Sequence, residues 1–285
     1  MNKNSLDLLF LGGDKRQEHI YKILSRKFKS SKKSALGNSE YDTHKLRNAD
    51  IIVLPTIASL DNYTLNAPDI SQKILLDDII KSAKNCKVII AGKISESISE
   101  KIKESGKLCY QYIESQPFKI LNAIPTAEGA VSIAINNTEK TLWGSKCLVI
   151  GNGCIGKALS KMLDNLGAAV VVAARKDMDF ADISWRGLES VHTERINDKL
   201  SNFDIIFNTV PHRVLSHEAL LNLGDDKLII DLASKPYGLD HSLTDNYKCN
   251  IILGSSLPGI YSPVTAAEIA ATSIEQIINE VSTDE

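Results

Sequence analysis

The chain has 285 residues, 43% hydrophobic and 24% charged, with a formal net charge of −2. That length suits two domains whose cores need neither disulfides nor metal, and the near-neutral charge argues against nucleic acid or an anionic membrane as a partner. Cys86, Cys109, Cys147, Cys154 and Cys249 are scattered, with no CxxC pair and no Cys/His cluster of zinc spacing, so reduced thiols and no metal site are expected.

The opening "MNKNSLDLLFLGGDKR" has an apolar run too short for a signal peptide, and no apolar run reaches the length of a membrane span. A cytoplasmic protein is the expectation. Strands are predicted at 6–11, 50–55, 87–92 and 107–113, then at 147–151, 169–174, 204–209, 227–233 and 250–254. Many of these runs are continuously apolar, as in parallel strands buried on both faces. Residues 29–40, "KSSKKSALGNSE", stand where topology wants another strand but have the composition of a loop. A helix is predicted over 126–138, and the strand series restarts near 145. The last helix is predicted from Ser262 as N-cap and Pro263 at the first position, with Ile269, Ile274, Ile277 and Ile278 as its buried stripe. Strand–helix alternation implies an α/β fold: two doubly wound Rossmann-like domains with parallel sheets, joined by interdomain helices. The expected boundaries are 1–122 for a flavodoxin-like substrate domain completed by helix 262–282, 123–143 for a linker helix, and 144–261 for a nucleotide domain.

"LVIGNGCIGKAL" (148–159) holds Gly151, Gly153 and Gly156 in G-x-G-x-x-G spacing, after a predicted strand and at the start of a predicted helix. Gly151 allows the tight turn, Gly153 leaves room for a pyrophosphate, and Gly156 lets helix and strand approach. The first N–H groups of the helix then face the phosphates, which brings Asn152, Cys154 and Ile155 into the expected cofactor site. Cys154 would sit at a helix N-terminus, which favours a thiolate. A fold that prefers NAD places an acid about 20 residues on. Here the second strand ends in Arg175 and Lys176. A guanidinium binds a ribose 2′-phosphate and stacks on adenine, so NADP(H) is expected over NAD(H). A solvated surface pair is the alternative, and Asp177 or Asp179 nearby leaves NAD open. Three later turns should face the same cleft: "NTVPHR" with Thr209, Val210 and Pro211, "DLASKP" with Ser234, and "GSSLPGIYSP" with Leu257 and Pro258.

Together, "GGDKR" (12–16), "NAIPTAEG" (122–129), "GNGCIG" (151–156), "NTVP" (208–211), "DLASKP" (231–236) and "LPGIYSP" (257–263) resemble the dipicolinate synthase A subunits of spore-forming bacteria, in order and spacing. The resemblance covers residues 6 to 280. It implies an NADP-dependent oxidoreductase that acts in the mother cell with a flavoprotein-like B subunit; a homo-oligomer is expected as well. The implied substrate is 4-hydroxy-tetrahydrodipicolinate, a small cyclic dicarboxylate; loss of water and transfer of a hydride to NADP⁺ leave dipicolinate. The chain departs from the family at Cys154, commonly Arg, at Val264 and Ala267, often Lys and Gly, and in "ASKPYG", where Lys235 keeps the cation.

A doubly anionic substrate wants cations, so Arg16, Arg213 and Lys235 are candidates, each also readable as a solvated surface charge. Lys235 and Glu128 are the expected catalytic residues. Glu128 is placed as a proton acceptor or, in the first turn of the 126–138 helix, as an acid that favours the helix dipole. Asn122 and Thr126 would bind a carboxylate or cap that helix. Asp14 would order Arg16 or cap the first helix. His212 reads as a proton relay or a solvent-facing loop residue. Two other functions fit the same fold: a shikimate-type or hydroxyacid dehydrogenase, and a non-catalytic nucleotide-binding partner or sensor subunit.

Overall fold

The structure, a computed structural model, describes residues 6–283, so the first five residues of the expected first domain lie outside the described residues. The chain divides into Met1–Leu121 with Pro263–Glu285, and Asn122–Ser262.

In the first domain β1 (Leu8–Leu11), α1 (Lys15–Leu24), β2 (Ser31–Ser34), α2 (Thr43–Asn48), β3 (Ile51–Val53), α3 (Leu76–Ser82), β4 (Val88–Ala91), α4 (Glu96–Glu104) and β5 (Leu108–Gln111) alternate along the chain. The strands form one parallel sheet in the order β2-β1-β3-β4-β5. Successive side chains of β1 serve opposite layers. Leu9 and Leu11 join Ile79 of α3 and Ile98 of α4. Leu8 and Phe10 join Ile20 and Leu24 of α1, and also residues of the last helix, α10 (Pro263–Thr283). Pro263 is the first residue of α10, where its missing N–H costs nothing. Ile274 and Ile278 are fully buried against the α1 side, with Ile269 and Ile277 partly buried beside them. Full burial of Ile274 and of Ile278 contributes about 1.5–3 kcal/mol each.

The two domains are connected by α5 (Gln116–Asn136). The second domain then runs through β6 (Lys146–Ile150), α6 (Cys154–Asn165), β7 (Ala169–Ala174), α7 (Asp177–Trp185), β8 (Glu189–His192), β9 (Ile205–Asn208), α8 (His217–Leu221), β10 (Leu228–Asp231), β11 (Asn250–Leu253) and α9 (Leu257–Tyr261). Its sheet is parallel, in the order β11-β10-β9-β6-β7-β8. One face of the sheet buries Val149, Val172 and Phe207 against α5 and α6; the other buries Leu148, Ile206 and Ile229 against α8 and the 196–203 stretch. Both sheets are doubly wound α/β arrangements, and the strand orders are those of the flavodoxin-like and dinucleotide-binding types.

Several expectations change. The loop-like stretch at 29–40 contains β2, and β8 lies where no strand is expected. Both are polar edge strands, paired on one side alone, so they lack the apolar run of a central strand. The helix expected at 126–138 starts ten residues earlier, at Gln116, and passes through Pro125. Proline in a helix interior removes one N–H bond, but Ala123, Ala127, Ala130 and Ala134 are so well buried that packing keeps the helix intact. Glu128 is therefore in mid-helix, and the first-turn dipole role does not apply to it. Neither Asn122 nor Thr126 caps the helix: Thr126 Oγ1 donates to the Asn122 carbonyl at 2.7 Å, inside it. The turn at 254–263 contains α9, entered through Ser256 at φ 56°. By length and hydropathy α5 could cross a membrane, yet half of its apolar window is buried within the protein, as in a core helix.

Candidate functional site

Each sheet has a point where the strand order reverses, and open α/β sheets bind ligands beyond the carboxyl ends of the strands at that point. In the second domain it lies at the end of β6, between β7 and β9. Gly151 follows β6 with φ +104°, a conformation that side chains rarely adopt. A Cβ on Gly156 would stand 2.0 Å from the Gly151 carbonyl oxygen, so α6 can start this close to the turn because Gly156 has none. Gly153 is different: a Cβ there would meet nothing within 4 Å. The space above it is open, and α6 begins at Cys154 with no side chain capping its first N–H groups. An open cradle beside uncapped helix donors fits the pyrophosphate of a dinucleotide.

The loop is fastened from behind. Gly151 N donates to the Ala173 carbonyl at 2.9 Å, and Thr209 Oγ1 donates to the Ile150 carbonyl at 2.8 Å. The Asn152 side chain turns into the protein and is nearly buried. Its Nδ2 donates to Asp182 at 3.0 Å and to Asp179 at 3.3 Å, and its Oδ1 accepts from Arg186 at 2.6 Å. Arg186 also donates to Ser160 Oγ at 2.8 Å and lies 3.2 Å from Asp182. The bond from Asn152, with Lys157 and Arg186 adding to it, holds the Asp182 carboxyl below its ordinary range. Asn152 thus ties the glycine loop to α6 and α7, leaving its backbone for a ligand. Asp179 is engaged in the same network.

Arg175 and Lys176 follow β7 directly, and both are exposed. Arg175 has no ion-pair or hydrogen-bond partner among the described residues. Thr209 and Val210 border the glycine turn from the β9 side, with Val210 Cγ2 2.8 Å from where a Gly151 Cβ would sit. Pro211, His212, Ser234 and Lys235 are exposed on the turns after β9 and β10. Arg213 is exposed too, but pairs with Asp240 at 3.1 Å. Leu257 and Pro258 are buried in α9, where Leu257 packs beside Gly129 and Gly254. Glu128 is exposed on α5. Ile155 and Cys154 are partly exposed in the first turn of α6.

In the first domain the strand order reverses at β1, between β2 and β3. Asp14 caps α1, accepting from Arg16 N at 3.0 Å and Gln17 N at 3.4 Å. The Arg16 side chain is 14% exposed, and Asp14 Oδ2 stands 3.8 Å away, an ion pair too long for a hydrogen bond. Arg16 Nε and Gln17 Oε1 are buried without a hydrogen-bond partner. The sequence gives no warning of two neighbours. Tyr112 is fully buried and its hydroxyl meets Thr56 Oγ1 at 2.7 Å. Burial pushes the Tyr112 phenol up to about 12, while the Thr56 bond and the Arg16 charge act the other way. A guanidinium that keeps only this long ion pair, at a switch point, can receive a carboxylate.

Two residues at the carboxyl ends of strands belong to the turn motifs without figuring among the expected site residues. Asn208 closes β9 and Asp231 closes β10, and both have no exposure. A polar residue ending an otherwise apolar strand is the signal that could have found them. No group of three or more His, Cys, Asp or Glu among the described residues could hold a metal ion.

Residues 7–113 match the family described as the N-terminal domain of the dipicolinate synthase A subunit. Over 98% of both chains the sequence is 29% identical to the dipicolinate synthase A subunit of Bacillus subtilis (strain 168). The crystal structure of the corresponding dipicolinate synthase A subunit from Bacillus halodurans superposes with a TM-score of 0.87 at 27% identity, covering 97% of this chain and 98% of that one. A transhydrogenase from Sinorhizobium meliloti matches with a TM-score of 0.71 at 14% identity, over 96% and 94% of the two chains, and shares the fold alone. The fold is thus a two-domain α/β arrangement of the Rossmann-like type. The chain is similar over its whole length to the dipicolinate synthase A subunits, and its residues 7–113 match the family of their N-terminal domain.

Proposed function

We propose that the chain is the A subunit of a dipicolinate synthase, oxidising the product of water loss from 4-hydroxy-tetrahydrodipicolinate with NADP⁺, in the cytoplasm of the mother cell and together with a B subunit. The observation that carries the reading is the whole-length likeness to a dipicolinate synthase of this type. The choice of NADP over NAD rests on Arg175, exposed just beyond β7 and without a partner among the described residues.

Water loss leaves a dihydropyridine dicarboxylate. Aromatisation then removes one hydride and one proton from the ring, so the site needs one acceptor for each. Bound NADP⁺ supplies the hydride acceptor. The residues of this chain bind and orient. Gly153 and the first N–H groups of α6 hold the pyrophosphate, and Arg175 with Lys176 binds the 2′-phosphate. Arg16 receives a ring carboxylate. Lys235 offers a second cation, and Glu128, exposed and without a partner among the described residues, takes the ring proton.

The test is the absorbance of reduced nicotinamide when cyclic substrate and NADP⁺ are added, with and without the B subunit. Turnover in either mixture is expected. Nucleotide binding without turnover in both would make the chain a nucleotide-holding sensor. Arg175→Ala should weaken NADP⁺ by about 10- to 100-fold, the loss of one charge-assisted contact, and leave NAD⁺ unchanged. Undiminished preference for NADP⁺ would remove the assignment.

A further inference from the structure

The Asp231 carboxylate is fully buried, a costly arrangement unless its lone pairs find donors. Both of its oxygens do so. Oδ1 accepts from Asn208 Nδ2 at 2.8 Å and from Ala233 N at 3.1 Å. Oδ2 accepts from Gly238 N at 2.9 Å and lies 3.0 Å from His241 Nε2. Asn208 is used up as well: its Nδ2 also donates to the Val210 carbonyl at 3.0 Å, and its Oδ1 accepts from Val210 N at 3.2 Å. The Gly238 carbonyl in turn accepts from Val214 N and Leu215 N. A Cβ on Gly238 would stand 2.1 Å from Asn208 Nδ2, so the loop closes over the amide with no room left.

The partners come from the end of β9 and from the stretch after β10, and Asn208 also braces Val210 in the turn after β9; these two turns carry Thr209 to Pro211 and Ser234 to Lys235. Of the hydrogen bonds that fasten the glycine loop, none runs through Asp231 or Asn208. In this fold the strands on the β7 side receive the adenosine half of a dinucleotide, and those on the β9–β10 side receive the other half. From this placement we infer that Asp231 and Asn208 are positioning residues, which together hold the two turns in the shape that receives the nicotinamide half. The inference rests on the nucleotide reading given above.

Two variants of the full chain test it, each titrated with NADPH and with 2′-phospho-ADP-ribose, which lacks the nicotinamide. Asp231→Asn turns one oxygen into a donor and leaves at least one backbone N–H facing it, that of Ala233 or of Gly238. Gly238→Ala pushes on Asn208 from the opposite side, and serves if the first variant does not fold. Each should weaken NADPH about tenfold, and 2′-phospho-ADP-ribose less than about twofold. Equal weakening of both ligands overturns the inference, since the damage would then be general; so does no weakening of either. If the unaltered chain binds neither ligand, the nucleotide reading falls and this inference with it, whereas normal binding by both variants removes the inference alone.

Discussion

Two glycines of one loop, Gly153 and Gly156, should both lose nucleotide affinity on change to alanine, but only Gly156 should lose stability as well. At Gly156 the new methyl group would begin 2.0 Å from the Gly151 carbonyl. Ordinary contact, at 3.4 Å, is reached only when α6 and the turn separate by about 1.4 Å, and overpacking of that kind costs typically about 1–3 kcal/mol. The same shift displaces the helix donors from the phosphates. Gly156→Ala should therefore lower the thermal midpoint and weaken nucleotide together. At Gly153 the methyl group meets nothing within 4 Å. The backbone there has no positive φ, so Gly153→Ala should leave the thermal midpoint within roughly 1–2 °C, as for a neutral surface change. Its methyl group, however, stands in the space assigned to the pyrophosphate, and binding should fall about tenfold or more. Calorimetric melting without ligand and a fluorescence titration with NADPH read the two quantities separately. Undiminished binding by Gly153→Ala would refute the placement of the phosphates above that residue, whatever Gly156→Ala does.

Three further outcomes are expected. Arg16→Ala should weaken binding of dipicolinate by about 10-fold or more in a calorimetric titration and leave NADPH affinity alone; unchanged dipicolinate binding would take the carboxylate away from Arg16. Burial raises the thiols of Cys86, to about 11, Cys147, to about 12, and Cys249, so maleimide at neutral pH should label only the partly exposed Cys109 and Cys154 in the native protein, as mass mapping would show. Asp182 titrates below its ordinary 3.8 when folded, so its bonds stabilise at pH values above the unfolded value and lose that effect as pH falls through the lower folded one. The stability gap between wild type and Asp182→Asn, followed by urea denaturation, should be constant near neutrality and shrink below about pH 4; a gap independent of pH counts against the network.

What could be read from the residues follows how strongly burial stamps a pattern. β1, β4, β6, β7, β9 and β10 are central strands and appear as unbroken or nearly unbroken apolar runs. The glycine loop is legible because its geometry demands glycine at fixed intervals. β2, with the sequence SKKS, and β8, with ESVH, are set by a backbone partner on one side, which leaves no trace in the side chains. Pro125 reads as a barrier in isolation, and only the packing of alanines on both sides of it carries α5 through. Arg16 is visible as a cation on a loop, but Thr56 and Tyr112, which meet each other from 56 residues apart, are joined by the sheet alone.

The return of α10 to the first domain has a bearing on how the molecule is made. Ile274 and Ile278 fill a layer begun by Leu8 and Phe10, so that layer stays open on the ribosome until the entire second domain has been translated. The usual amino-to-carboxyl order of domain completion is reversed: the later half closes first, and the earlier half waits for a single helix. Trimming that helix with a carboxypeptidase or a stop codon should unravel the sheet of β1 to β5 while the glycine-loop half survives as a protease-resistant fragment.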